Sequence, residues 1–243
     1  MLRILAGLIL MSSLATSVVA GPPYVTDDAE PTDFHHFEIY LFNQGTHIRG
    51  ETETESGIDF NYGAGPNLQL TATLPVVVES PEADDSVSGV GNIELAAKYR
   101  FLHQSSTGFD VAVFPRIFLP AGSSKTGARH VSLLLPIWME HDWGSWSTFG
   151  GGGCTINRGG DSQDFCQASW ALAKMVQPKL QLGAEILHQT ADTKGGLATT
   201  AFGAGLRYDI SDNLHLLAYG NGGVQNSAET DRYSWYGSIL FTF

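Results

Sequence analysis

Charge is scarce in this sequence. Only 16% of its 243 residues are Asp, Glu, Lys or Arg, whereas an ordinary soluble domain carries about 25%. Positive charge is scarcer still: 13 Lys and Arg stand against 25 Asp and Glu, a net charge of −12. No basic patch stands out, which argues against nucleic acid as a partner. Cysteine is almost missing. Cys154 and Cys166 are the two present, too few for a disulfide scaffold and wrongly placed for a zinc pattern. Long apolar runs are missing beyond the N-terminus. Leu74 to Val78 and Val131 to Met139 come nearest, each is interrupted by a proline, and neither reaches the roughly 18 residues of a membrane helix. What is abundant is glycine, at 28 residues, and aromatic side chains, at 11%. Glycine at this density disfavours a helical bundle, since each helical Gly costs about 1 kcal/mol. The aromatics exclude a disordered acidic chain.

The first 20 residues read as a secretory signal peptide. Arg3 supplies the positive charge, Ile4 to Met11 the short apolar stretch, and Val18 and Ala20 the small residues before a cleavage site. Cleavage after Ala20 removes only one charge, Arg3, and leaves a mature chain of −13. The expected organisation is a signal peptide at 1–20, an N-terminal periplasmic or lumen segment at 21–33, and one β-domain at 34–243.

That domain alternates with period two. In Asn92 to Phe101, Ile93, Leu95, Ala97, Tyr99 and Phe101 share one face, while Glu94, Lys98 and Arg100 lie on the other. Such alternation over about ten residues marks a half-buried strand. The pattern predicts twelve strands: 34–47, 53–64, 67–78, 91–104, 108–119, 129–141, 144–155, 164–176, 179–191, 197–209, 213–223 and 232–243. Every second connection is short, as at Gly65-Pro66 and Gln177-Pro178, and most of the others are longer and polar. Short turns at one end and longer loops at the other are how a transmembrane antiparallel up-and-down β-barrel is built. A secreted soluble sandwich would alternate too. Its strands, however, would mostly run to about five or six residues, against the 9–11 or so that cross a bilayer.

The stretches Gly21 to Pro31 (GPPYVTDDAEP), Gly65 to Pro75 (GPNLQLTATLP), Gly91 to Leu102 (GNIELAAKYRFL) and Phe114 to Gly122 (FPRIFLPAG) resemble the outer-membrane transporters associated with the meta-pathway of phenol degradation. The resemblance implies an outer-membrane β-barrel, assembled by the barrel assembly machinery, with a role in uptake of small aromatic or other apolar compounds. It also implies that the last strand is an assembly signal, with Phe243 as its terminal aromatic.

If the apolar face meets outer-membrane lipid, the polar face lines the lumen. That assigns Glu38, Asp59, Glu94, Lys98, Arg100, Asp110, Arg116, Glu140, Glu185 and Arg207 to the interior, as a pore lining or as ion pairs that fill the barrel. Lys98, Arg100 and Arg116 form a positive excess on two consecutive strands. The acidic segment with Asp27, Asp28 and Glu30 can fold back against that wall, or stay outside as a solvated tail. Cys154 and Cys166 fall at facing strand ends, and an exported protein meets oxidising conditions, so a disulfide is expected. His130 and Ser132, with Glu140, raise an esterase or lipid-deacylase alternative, but no G-x-S-x-G elbow accompanies them. No cofactor or metal motif is found. The expected function is passive transport of a small-molecule solute, with a closed structural or surface-interaction barrel as the alternative.

Overall fold

The computed structural model describes residues 23–82, 85–122, 126 and 130–243. The signal peptide expected at 1–20 lies outside them. Twelve strands build one sheet: β1 (Phe37–Ile48), β2 (Glu51–Gly65), β3 (Leu68–Pro81), β4 (Val87–Val90, resuming at Ile93–Leu102), β5 (Asp110–Val113, resuming at Arg116–Leu119), β6 (Ser132–Trp143), β7 (Trp146–Ile156), β8 (Phe165–Gln177), β9 (Leu180–Gln189), β10 (Thr199–Ser211), β11 (Leu214–Gln225) and β12 (Tyr233–Thr242). Each strand pairs antiparallel with the next. β1 then pairs with β12 from Glu38↔Thr242 to His47↔Tyr233. The sheet is therefore a closed barrel without a free edge, and the only helix among the described residues is the single turn Gln104–Thr107.

All twelve expected strands are present, and two are interrupted. β5 breaks at Phe114-Pro115 because Pro115 has no N–H to give to the ladder. Its carbonyl still accepts from Ala97 N–H at 3.2 Å, and Phe114 N–H donates to Pro136 O at 3.2 Å. β4 pauses at Gly91-Asn92, where Gly91 N–H donates to Pro75 O at 3.0 Å. A Cβ on Gly91 would come within 2.7 Å of Val77. Pro66-Asn67, Gly144-Ser145, Pro178-Lys179 and Asp212-Asn213 make tight turns at the end where β1 begins and β12 finishes. The longer loops gather at the opposite end, although β1 and β2 meet there through Arg49-Gly50 alone.

The alternation is inside-out. On β3, Gln69, Thr71 and Val77 are buried, while Leu70, Leu74 and Val76 are exposed. On β6, Leu134, Trp138 and Glu140 are buried, while Leu135, Ile137 and Met139 are exposed. Large apolar side chains thus clothe the outside and polar ones fill the inside. A soluble sandwich would show the reverse. Rings cluster on the outer wall near the strand ends, as in Phe37 against Tyr62 at 4.7 Å and Tyr233 against Trp235 at 6.3 Å. Cys154 and Cys166 stand directly opposite each other on β7 and β8 and are joined by a disulfide, with their Cα atoms 4.0 Å apart. The glycine run before Cys154 permits close packing: a Cβ on Gly150 would come within 2.3 Å of the Trp170 ring.

Candidate functional site

The inner wall of β4 and β5 carries the site. Period two turns Glu94, Lys98 and Arg100 of β4 inward, and the register sets Ala96 opposite Arg116 and Arg100 opposite Ala112. Three cations therefore crowd one face of the lumen. Phe114, turned inward at the β5 break, is 3% exposed. Arg116 stacks over its ring at 4.2 Å and Lys98 at 5.0 Å.

Residues 23–32 run through the lumen and meet that wall, and the exposed residues 33–36 lead on to the start of β1. Lys98 Nζ donates to Asp27 Oδ1 at 2.9 Å and to Asp28 Oδ1 at 2.7 Å. Arg116 pairs with Asp27, and Arg100 reaches Glu30 at 3.4 Å. Arg100 and Arg116 also face Asp110 and Glu94, at 3.6 Å each. The segment is held from other sides as well. Val25 N–H, Thr26 N–H and the Thr26 hydroxyl donate to the Glu185 carboxylate of β9 at 3.2, 2.9 and 2.6 Å. Ala29 N–H donates to Glu140 of β6 at 3.2 Å, and Thr32 N–H to Gln69 of β3 at 2.8 Å. Tyr24 wedges between Phe149 and Tyr219, with ring centroids 5.7 and 5.8 Å away. Gly183 makes room for it: a Cβ there would lie 2.3 Å from the Tyr24 hydroxyl.

The segment's own carboxyls respond differently to this setting. Burial works against the ionised form of Asp27, but Lys98 and Arg116 together hold it below the usual carboxylate range. Burial dominates at Asp28 and pushes it up to about 6, against the pull of Lys98 and with the push of Asp27. Burial and then the charge of Asp28 push Glu30 up to about 7.

The side chains expected to face inward do so, but they do not form one cluster. Glu94, Lys98, Arg100, Asp110 and Arg116 share the wall just described. Glu140 and Glu185 hold backbone N–H groups of the segment. Arg207 stands apart near the short-turn end and donates to Asp209, which also meets His215 at 2.6 Å. Glu38 meets the Tyr40 hydroxyl, and Asp59 accepts from Thr73. The residues of the hydrolase alternative are not assembled. Ser132 and Glu140 lie eight residues apart on β6, about 26 Å along the strand.

Alongside the segment the lumen keeps a cavity of about 1250 Å³. Its wall combines Tyr40, Phe42, Phe118 and Tyr219 with Glu53, Glu79 and Asp231. Sequence reasoning missed those last carboxylates. Glu51 to Glu55 alternates Thr with Glu and offers no apolar face by which to orient the strand. Glu53 and Glu79 nevertheless sit opposite each other in register.

The family model described as "Putative MetA-pathway of phenol degradation" matches residues 24–236. No curated protein gives a match. Among solved structures, an outer-membrane channel from Pseudomonas putida F1 is 13% identical and superposes with a TM-score of 0.72, covering 89% of this chain and 98% of that one. The NanC porin is 6% identical with a TM-score of 0.59 (84% and 98% covered). The KdgM porin in complex with disordered oligogalacturonate is 9% identical with a TM-score of 0.53 (84% and 99% covered). Identities this low establish a shared barrel fold.

Proposed function

The chain belongs to the family described by the MetA-pathway of phenol degradation, and from that premise we propose that it is a passive outer-membrane channel for small aromatic or apolar molecules, narrowed by its own N-terminal segment. The observation that carries this reading is the segment of residues 23–32, held inside the lumen by Lys98, Arg116, Glu140 and Glu185 and bordering a cavity whose wall includes several aromatic rings. Aromatic walls offer dispersion contacts to a small ring-shaped solute. The carboxylates and hydroxyls between them keep the passage wetted. No step of chemistry is needed, only entry and release, so binding along the wall must stay weak. In this reading residues 1–20 direct export and are removed.

Planar bilayers and liposome swelling with a panel of aromatic and aliphatic solutes test the proposal. Deleting residues 22–30 should raise single-channel conductance, and Arg100→Gln with Arg116→Gln should raise it in part. Equal conductance for intact and shortened barrels would remove the narrowing role. Absence of solute flux through either would leave a closed structural barrel as the better reading.

A further inference from the structure

Sorting the strand residues by face leaves one charge outside. Among the described strands every Asp, Glu and Arg falls on an inward position, and so does Lys98. Lys174 of β8 shares its face with Trp170 and Leu172, which are exposed to the surroundings of the barrel. A lysine on the lipid face is costly in mid-membrane and tolerated toward an interface. Lys174 lies near the end of β8, beside the Gly144-Ser145 turn, in register with Trp146.

The surface around it is aromatic. Lys174 Nζ sits 4.6 Å from the centroid of the Trp146 ring. Trp146 lies nearly parallel to Trp143 at 6.5 Å, Trp143 to His141 at 5.4 Å, and His141 meets Phe109 at 5.3 Å. Lys179, in the next turn, is exposed and donates to Ile210 O at 3.3 Å. Of the acidic groups at this end, Asp142 shares the inward parity of Glu140, Asp209 is taken by Arg207 and His215, and Asp212 lies exposed in its turn. No carboxylate among the described residues pairs with either lysine. Lys174 and Lys179 are thus two cations without a carboxylate partner among the described residues, on a chain of net charge −12.

We propose that the outer surface formed by Lys174, Trp146, Trp143 and Lys179 binds the headgroup of an anionic glycerophospholipid. The inference rests on the outer-membrane reading above. The indole face of Trp146 fixes the lysine stem and ammonium from one side. The ammonium's three N–H donors suit a phosphate oxygen. The Trp143–Trp146 shelf takes the glycerol and the first acyl carbons, as aromatic rings do at membrane interfaces. The short-turn end of an outer-membrane barrel faces the periplasm, where the bilayer leaflet is glycerophospholipid. The phosphates of lipopolysaccharide lie in the other leaflet.

Native mass spectrometry of the full mature barrel, purified from outer membranes in mild detergent and titrated with phosphatidylglycerol, phosphatidylcholine or lipid A, tests the proposal. Lys174→Gln should lower phosphatidylglycerol affinity about fivefold and leave phosphatidylcholine unchanged, and Lys174→Arg should restore most of it. Unchanged phosphatidylglycerol affinity in Lys174→Gln would overturn the proposal. So would an equal loss for phosphatidylcholine, or a loss confined to lipid A. Outer-membrane fractionation and heat-modifiable mobility of each variant, measured alongside, report separately on the barrel itself.

Discussion

Lys98 is the residue on which the docked segment leans hardest. Its ammonium is almost fully buried and meets Asp27 and Asp28 together. Replacing it with Met would strand two carboxylates against an apolar stem, and breaking a buried pair in this way costs about 3–5 kcal/mol. Lys98→Met should therefore release the segment. Hydrogen exchange should show loss of protection at Val25, Thr26 and Thr32, whose N–H groups are bonded when docked. Unchanged protection would mean that Glu185 and Tyr24 suffice. A pH dependence follows from the neighbouring carboxyls. Asp28 and Glu30 are raised in the docked state, to about 6 and about 7. A raised acid favours the docked state at low pH, and that contribution fades as pH rises through those values. Asp27 is lowered and stays ionised throughout this window. Conductance should accordingly fall between pH 8 and pH 5 in the intact chain and stay flat in the chain lacking 22–30. A rise on acidification would contradict the assignment. The lumen charges could be read from period two alone. The contacts of Val25 and Thr26 could not, because their partner Glu185 lies about 160 residues away in sequence and no local pattern announces it.

Among the elements, β12 combines two tasks. It pairs with β11 on one side and β1 on the other. Phe243 follows it directly and exchanges two backbone bonds with Phe37, at 3.0 and 3.1 Å. Its side chain is exposed, so deleting it removes little packing. A fall in assembled, heat-modifiable protein on deleting Phe243, with unchanged melting of whatever does assemble, is expected if the residue serves recognition during assembly. Equal assembled levels would assign it to closure alone. The sequence located β12 well and explained Leu240 poorly, since Leu240 breaks the polar face. The structure supplies the reason: Leu240 packs with Tyr40 and Leu217 in a small apolar cluster inside the short-turn end. β5 was legible as a span and not as two pieces. Period-two reading registers which way side chains point, whereas the break comes from the missing amide hydrogen of Pro115.

The whole molecule inverts the usual distribution of polarity, and that inversion explains why composition was so informative. A barrel this size has few places for charge: the lumen, the loops and the two rims. Four of the scarce Lys and Arg, Lys98, Arg100, Arg116 and Arg207, turn into the lumen and find carboxylates there. The mature chain is expected to fractionate with outer membranes and to change gel mobility on boiling, as a closed sheet resists detergent until heated. Recovery as a soluble periplasmic protein would contradict the membrane reading.

The seam between β1 and β12 joins residues about as far apart as this chain allows, Glu38 with Thr242. Contacts of such sequence separation form late, because the loop entropy must be overcome before the pairing rewards it. No N-terminal fragment of this chain can have a continuous wall. A chain stopped anywhere before Tyr233 presents two raw strand edges at once, β1 and whichever strand came last. Such edges invite aggregation, and only a chain that includes β12 hides both.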